Sequence, residues 1–165
     1  MPRYCEGIGI MPVVRKAVGE DIPGVLELWK ELMDFHRDID PMFTRSPRGV
    51  DNFLKHLMEL LDGPDTALFV SEENGKLTGY LLATVNKYPP VFMKESYGMI
   101  SDAVVTASRR RMGTGEALVN KASEWFREQG LTRVEMRLLN ANMVSSSFWR
   151  KMGFQPYLTT LYKEL

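Results

Sequence analysis

The chain has 165 residues, 44% of them hydrophobic, with 21 basic and 21 acidic side chains and no net charge. That length and composition suit one globular domain with a core of its own, and the charge balance excludes the basic excess expected of a nucleic-acid binder. A single cysteine, Cys5, excludes an internal disulfide and a thiolate metal cluster; no apolar run is long enough to cross a bilayer and residues 1–11 lack a secretory signal's regions, so a cytoplasmic setting free of membrane is expected.

Residues 1–12 read as an N-terminal extension, with Met11 an alternative start, and residues 13–165 as the folded domain. Residues 13–17 alternate as a short edge strand. Asp21-Ile22-Pro23-Gly24-Val25 then opens a helix with Val25, Leu26, Trp29, Leu32 and Met33 at helical spacing. Ser46 with Pro47 behind it marks the cap and first turn of a second helix, whose buried face is Val50, Phe53, Leu54, Leu57, Leu60 and Leu61 and whose end is Gly63-Pro64. Two strands, 67–71 and 76–86, flank Glu72-Glu73-Asn74-Gly75, where Asn-Gly signals a hairpin. Tyr88-Pro89-Pro90-Val91 breaks the run before a fourth strand at 99–105. A helix at 115–129 carries Leu118, Ala122, Trp125 and Phe126 on one face, with Gly130 as its stop. An alternating strand at 133–138, a short helix bearing Phe148 and Trp149 with Gly153 at its C′ position, and one or two closing strands within 154–165 complete the chain. The order β-α-α-β-β-β-α-β-α-β describes an α/β (α+β) fold, a mixed sheet of about six to seven strands flanked by about four helices, with a right-handed crossover from the fourth strand to the strand at 133.

The densest chemical signal runs from Ser101 to Leu118, where a strand passes through Arg109, Arg110 and Arg111 and two glycines into an amphipathic helix. A helix start exposes N–H groups without internal partners and carries partial positive charge, so an anion such as a pyrophosphate can sit there. Gly113 and Gly115 let the main chain approach it, because a Cβ would hold a phosphate off. By itself the arginine run reads as a solvated charge cluster; the glycines turn the reading toward a ligand. A lysine-terminated P-loop has no match, and the dinucleotide pattern Gly-x-Gly-x-x-Gly fails at its third glycine, which is Leu118.

What remains, Arg-x-x-Gly-x-Gly at Arg110, Gly113 and Gly115 directly after a strand ending at Val105, resembles the GNAT superfamily of acetyl-CoA-dependent N-acetyltransferases. Asn142, Ser145, Phe148, Trp149, Gly153 and Phe154 fall in the spacing of a second segment of that superfamily. Together these segments span roughly the last seventy residues. The resemblance implies acetyl-CoA as co-substrate, with no metal. Its pantetheine arm would lie along the backbone of Ala103, Val104 and Val105, its diphosphate on Arg110, Arg111, Met112, Gly113, Thr114, Gly115 and Glu116, and its groove against Asn142, Ser145, Phe148 and Trp149. Phe148 and Trp149 fit core packing equally well.

Acetyl transfer to an amine needs a proton acceptor, because a lysine-like ammonium with a pKa near 10 is mostly charged at neutral pH. Asp102 is the candidate. Polyamine acetyltransferases of the superfamily carry a Glu-Asp pair there, and Ser101 stands at the position of their proposed base; a structural cap is the other reading of Asp102. Where many relatives place a tyrosine to protonate the leaving thiolate, this chain has Trp149, whose indole cannot, and Tyr157 and Tyr162 are the stand-ins. A thiol of pKa about 8.5 also leaves largely unaided. For the acceptor, His36, Asp38, Asp40 and Arg45 lie between the first two helices. The acidic pair would draw a cationic amine, and Arg37 and Arg45 would clamp a carboxylate, leaving polyamine-like, amino-acid-like and peptide acceptors open. His36 also fits a helix cap, and His56 a surface position. The two histidines have no ligand spacing for a metal. The expected activity is transfer of acetyl to a primary amine of a small molecule or peptide by direct attack in a ternary complex, the other reading being a CoA-binding sensor without turnover. Relatives in the superfamily are often dimers, and the closing strands of a homodimer could pair across subunits.

Overall fold

The computed structural model describes residues 12–165; Cys5, Met11 and most of the expected N-terminal extension lie outside them. Its elements are β1 (Val13–Lys16), α1 (Ile22–Ile39), α2 (Gly49–Leu61), β2 (Thr66–Glu73), β3 (Lys76–Lys87), β4 (Ser96–Val105), α3 (Thr114–Glu128), β5 (Val134–Met136) and α4 (Met143–Lys151), with short 3-10 turns at Gly19–Asp21, Pro41–Phe43 and Ala107–Arg109. One sheet has the order β1-β2-β3-β4-β5. Its first three pairings are antiparallel, and β4 with β5 is parallel, joined through α3.

Local chemistry explains most of these boundaries. Asn74 and Gly75 both hold positive φ (52° and 74°), the two-residue turn whose twist suits a right-handed hairpin. Pro23 stands at the start of α1, where a missing N–H costs nothing. The second helix begins later than its sequence suggests: Arg48 is its N-cap and no side chain caps it, while Ser46 contributes only its carbonyl, to Gly49 N at 2.9 Å. The Arg15 guanidinium joins Asp21 (2.6 and 2.9 Å) to Glu72 (2.7 Å), tying the edge strand to the approach to α1.

The sheet divides two cores. On one face α3 and α4 cover Phe69, Leu81, Ala83 and Ile100 with Leu118, Ala122, Trp125, Phe126 and Trp149. On the other, α1 and α2 cover Leu68, Val70, Tyr80, Leu82 and Val104 with Val25, Leu28, Trp29 and Leu57. Strands buried on both faces read as near-continuous apolar runs, which is how β2 and β3 appear.

The strand count corrects one expectation. Five strands form among the described residues, and none of them lies in 154–165. That segment keeps Phe154 against the α3-side core, but residues 155–165 are all exposed, including Leu158, Leu161, Tyr162 and Leu165. Apolar residues in a sequence mark a strand only where a neighbouring edge receives them, and this segment, although Tyr157 reaches Arg133 at the start of β5, forms no ladder with that strand. Likewise the strand expected at 133–138 shortens to three residues, because β4 and β5 stay paired only over Gly98–Val134, Met99–Glu135 and Ile100–Met136. No helix among the described residues is long and apolar enough to cross a membrane.

Candidate functional site

Beyond Ile100, β4 runs on to Val105 with β3 as its one partner, so the parallel pair parts and leaves a gap along the outer side of β4. The parting coincides with a bulge. Leu82 faces Asp102 and Ala83 faces Ile100, which makes Ser101 the extra residue. One inserted residue reverses the alternation of everything after it. Gly98 and Ile100 lie on the α3 face, whereas after the bulge Ala103 and Val105 take that face and Val104 turns to the α1 and α2 side. Asp102 goes with Val104.

Hydrogen bonding along β4 follows the same alternation. Thr106 donates its N–H to the Thr78 carbonyl at 2.9 Å, so Val104 and Asp102, two and four residues back, also bond toward β3. The N–H and C=O of Ala103 and Val105 therefore point into the gap. One of these groups is already engaged: Arg110 Nε donates to the Val105 carbonyl at 3.2 Å.

The chain leaving β4 forms the 3-10 turn Ala107–Arg109 and then passes through two left-handed residues, Arg111 (φ 62°) and Gly113 (φ 85°). Gly113 is the N-cap of α3, and among the described residues no side chain caps that end. The first bond of the helix runs from Ala117 N to Gly113 O at 2.9 Å, so the amides of Thr114, Gly115 and Glu116 are left for an outside partner. Arg110, Arg111 and Met112 are exposed around them. The two glycines have different reasons. At Gly113 a Cβ would meet nothing within 4 Å and the positive φ alone selects glycine, while at Gly115 a Cβ would stand 3.1 Å from the Phe148 ring and 3.7 Å from a Val105 methyl. The second glycine thus lets α4 close against the start of α3.

Asn142 and Ser145 have local work in that closure. Asn142 is buried and caps α4 by accepting from Ser145 N at 3.1 Å, and the Ser145 hydroxyl accepts the Trp149 indole N–H at 3.0 Å. Trp149 is 5% exposed and packs edge-on against Phe148 and Phe154. Phe148, partly buried, is the member of the group that touches Gly115.

On the opposite face, Asp102 is partly buried and accepts the Tyr80 hydroxyl at 3.2 Å. Enclosure raises the Asp102 carboxyl above the ordinary carboxylate range, opposed by the Tyr80 hydrogen bond and by His56 nearby on α2. Tyr80, with no exposed surface, is raised well above its usual value by burial and by that carboxylate. Nothing in the β3 sequence marks Tyr80 as more than core; the bulge that brings Asp102 over it leaves no local signature.

The remaining candidates are spread out. Tyr157 is exposed and lies under the Arg133 guanidinium, 4.2 Å from its ring centre, at the beginning of β5. In a parallel pair, the beginning of β5 lies at the end of the sheet away from Val105, roughly 20 Å along β4 at about 3.3 Å per residue. Beside it, Tyr88 donates to Glu135 at 2.7 Å and its hydroxyl is pushed up to about 12, chiefly by desolvation and by that carboxylate. Tyr162 is exposed. Tyr157 is thus held at the end of the sheet away from the gap. Helix α1 runs on to Ile39, so His36 and Asp38 stand in its last turn and not between the helices as expected, with Asp38 paired to Arg37 at 3.1 Å. In the connection itself Asp40 caps the 3-10 turn Pro41–Phe43 by accepting from Met42 N at 2.9 Å, and Arg45 pairs with Asp34 at 2.9 Å. His36 sits between the rings of Phe35 and Phe43, and partial burial lowers its pKa.

A carboxylate that sequence reasoning passed over completes the picture. Glu31, on α1, accepts the Ala107 N–H at 3.0 Å and the Thr106 hydroxyl at 3.1 Å and lies 3.9 Å from Arg110 Nη2. Arg110 also rests over the Phe35 ring, 5.6 Å from its centre. A groove of about 730 Å³ between α1 and the β2–β3 hairpin ends on Glu31, Thr106 and Arg109. Among the described residues, no cluster of three or more His, Cys, Asp or Glu has the arrangement of a metal site.

Comparison with known proteins places this architecture. The acetyltransferase (GNAT) family model matches residues 26–154. The uncharacterized N-acetyltransferase MJ1207 of Methanocaldococcus jannaschii is 26% identical over 142 residues, 86% of this chain and 60% of that protein, so the chain spans less than two thirds of this relative's length. A mutant of the BH1408 protein of Bacillus halodurans has the same fold, with a TM-score of 0.82 at 19% identity, covering 93% of this chain and 99% of that one. The aminoglycoside acetyltransferase AAC(6')-Iy, solved with the bisubstrate analogue CoA-S-monomethyl-acetylneamine, aligns with a TM-score of 0.76 at 17% identity over 94% of this chain and 99% of that one.

Proposed function

Since the chain belongs to the acetyltransferase (GNAT) family, we propose that it transfers acetyl from acetyl-CoA to a primary amine by direct attack in a ternary complex. The observation that carries this reading is the junction where β4 parts from β5: backbone groups of Ala103 and Val105 that β3 does not use, one of them held by Arg110, lead to a helix start at Gly113 that no side chain caps among the described residues. These residues fit acetyl-CoA. An extended amide-bearing arm can pair with the open side of β4, and a diphosphate can accept from the amides of Thr114, Gly115 and Glu116 beside the exposed Arg110 and Arg111. Arg110, in this reading, exchanges the Val105 carbonyl for phosphate oxygen.

Acetyl-CoA supplies the acyl carbon as a thioester, whose C–S bond is exchanged for a C–N bond to the amine. The protein holds the acyl carbonyl near the fixed N–H groups of β4 beyond the bulge, which polarise it. Asp102 takes the proton that the ammonium must lose, directly or through one water. Its raised pKa makes it a better base than an ordinary carboxylate, and Tyr80 keeps its second oxygen in place. The thiolate leaves without a protein acid, since the Trp149 indole is buried and already bonded to Ser145. That same burial is what would favour a CoA sensor without turnover.

The acceptor lies on the α1 and α2 side, where Asp102 emerges. A small-molecule amine suits it, in keeping with the acetylneamine analogue bound by the AAC(6')-Iy neighbour. We also assign residues 155–165 to a contact between two copies. Tyr157, Leu158, Leu161, Tyr162 and Leu165 are exposed, and among the described residues β5 is an edge strand. At roughly 100 Å² per side chain, two such segments would bury about 1,000 Å², the low end of the range, which suits a weak association. Thiol release measured over a panel of small amines, amino acids and peptides tests the activity. Turnover with an amine is expected; CoA binding without release across the whole panel would overturn catalysis in favour of the sensor.

A further inference from the structure

We propose that Glu31 is a positioning residue for the acetyl-CoA loop, holding from α1 the turn that presents the loop to the diphosphate. The proposal rests on the acetyl-CoA reading of that loop. The segment after β4 contains a non-glycine residue, Arg111, at φ 62°, followed by Gly113 at 85°. A left-handed arginine is held only where its surroundings over-determine the backbone. The surroundings here are specific. Thr106 N is fixed to the Thr78 carbonyl, Arg109 N closes back on the Thr106 carbonyl at 2.9 Å, and the Arg109 guanidinium pairs with Glu73. Glu31 adds the two bonds that fix the first residues of the turn, to the Thr106 hydroxyl and to the Ala107 amide.

Glu31 is 75 residues from Thr106 in sequence and belongs to the helix that borders the acceptor side. One carboxylate therefore ties the helix of one substrate to the loop of the other. Its distance to Arg110, 3.9 Å with both side chains partly exposed, is the weaker contact, and solvent screens it. The two shorter bonds, with an ionised acceptor, are of the stronger kind. Removing Glu31 should thus loosen the loop more than it frees Arg110, and acetyl-CoA should bind less well.

The test measures steady-state kinetics and CoA calorimetry for wild type, Glu31→Ala, Glu31→Gln and Thr106→Val. Glu31→Ala is expected to raise KM for acetyl-CoA about tenfold, the scale of one lost charge-assisted bond, with kcat and the acceptor KM within about twofold. Gln keeps an oxygen for the Ala107 amide and an amide group for the Thr106 hydroxyl, so Glu31→Gln should return to within about threefold of wild type. Thr106→Val removes one of the two bonds and should show a smaller rise in the same KM, which decides the matter if Glu31→Ala does not fold. An unchanged KM for acetyl-CoA in Glu31→Ala or, where that variant fails to fold, in Thr106→Val, would overturn the proposal. So would a Glu31→Gln defect as large as that of Ala, since charge and not hydrogen bonding would then be at work. Wild type that binds no CoA would sink the loop assignment itself, an outcome distinct from wild-type binding that Glu31→Ala leaves untouched.

Discussion

Valine at Gly115 separates two explanations for a glycine in the loop: access for a ligand, and access for a neighbouring ring. The ideal Cβ at this position stands 3.1 and 3.2 Å from two Phe148 ring carbons, a few tenths of an ångström inside ordinary contact, and the Val105 methyl at 3.7 Å closes the other side. Phe148 cannot retreat far, because Trp149 beside it is 5% exposed and bonded to Ser145. The two further methyl groups of valine bring overpacking of about 1–3 kcal/mol. The conformational gain from replacing a helical glycine, about 0.5–1 kcal/mol for alanine, is largely cancelled by β-branching. A net loss near 2 kcal/mol follows, a fall of roughly 4–8 °C in Tm for a chain of this size. Thermal and urea unfolding of the ligand-free protein measure it. Phe148→Leu in the same molecule opens the contact and should restore at least half of the loss. Gly113→Val has no such neighbour within 4 Å, so its cost is backbone strain of about 1–2 kcal/mol that Phe148→Leu leaves unchanged. Should Gly115→Val melt with wild type, or should Phe148→Leu rescue both glycine variants alike, the packing argument is wrong.

Three further outcomes follow from the same geometry. Because burial raises the Asp102 carboxyl, the native state holds this proton to higher pH than the unfolded chain does. Its ionisation therefore costs stability as pH rises past the ordinary carboxylate range, and Asp102→Asn should match wild type in acid and unfold later at neutral pH. The same substitution should remove the acid limb of kcat/KM; an acid limb that survives it assigns the base elsewhere. Trp149→Phe loses the bond to Ser145 and part of a packed indole, so the urea midpoint should fall while kcat for thiol release stays within about threefold; a drop of about a hundredfold in kcat with the fold intact would make the indole part of the chemistry. Glutamates at Leu158 and Leu161, which are 80% and 88% exposed in one copy, should convert a dimer of the 18.9 kDa chain to monomer in light scattering without lowering its melting temperature at matched dilution; monomeric wild type at micromolar concentration argues against the contact.

How far the sequence discloses this architecture depends on the range of each interaction. The hairpin at Asn74-Gly75, the helix opening at Pro23 and the uncapped start at Gly113 are set by residues adjacent in the chain, and each is legible before any tertiary contact is known. The buried faces of α1, α2 and α3 follow from helical spacing for the same reason. The bulge at Ser101 has no such marker, since one extra residue in an alternating strand changes the faces without changing the composition. That single shift decides whether Asp102 meets α3 or the α1 and α2 side. Glu31 reads as one more polar residue on an amphipathic helix until Thr106 and Ala107 arrive from elsewhere in the chain. Residues 155–165 mislead in the opposite way. Their apolar side chains are exposed in the single chain, and periodicity alone cannot tell such a segment from a strand of the sheet.

Titrating the isotope-labelled protein with CoA and following its backbone amides by NMR tests the site most directly. The largest shifts are expected at Ala103, Val105 and 113–116, saturating together, with Gly113→Val abolishing them while the rest of the spectrum keeps its native dispersion. Shifts confined to other parts of the sheet, or saturable binding that leaves the amides of Thr114, Gly115 and Glu116 unmoved, would contradict the account.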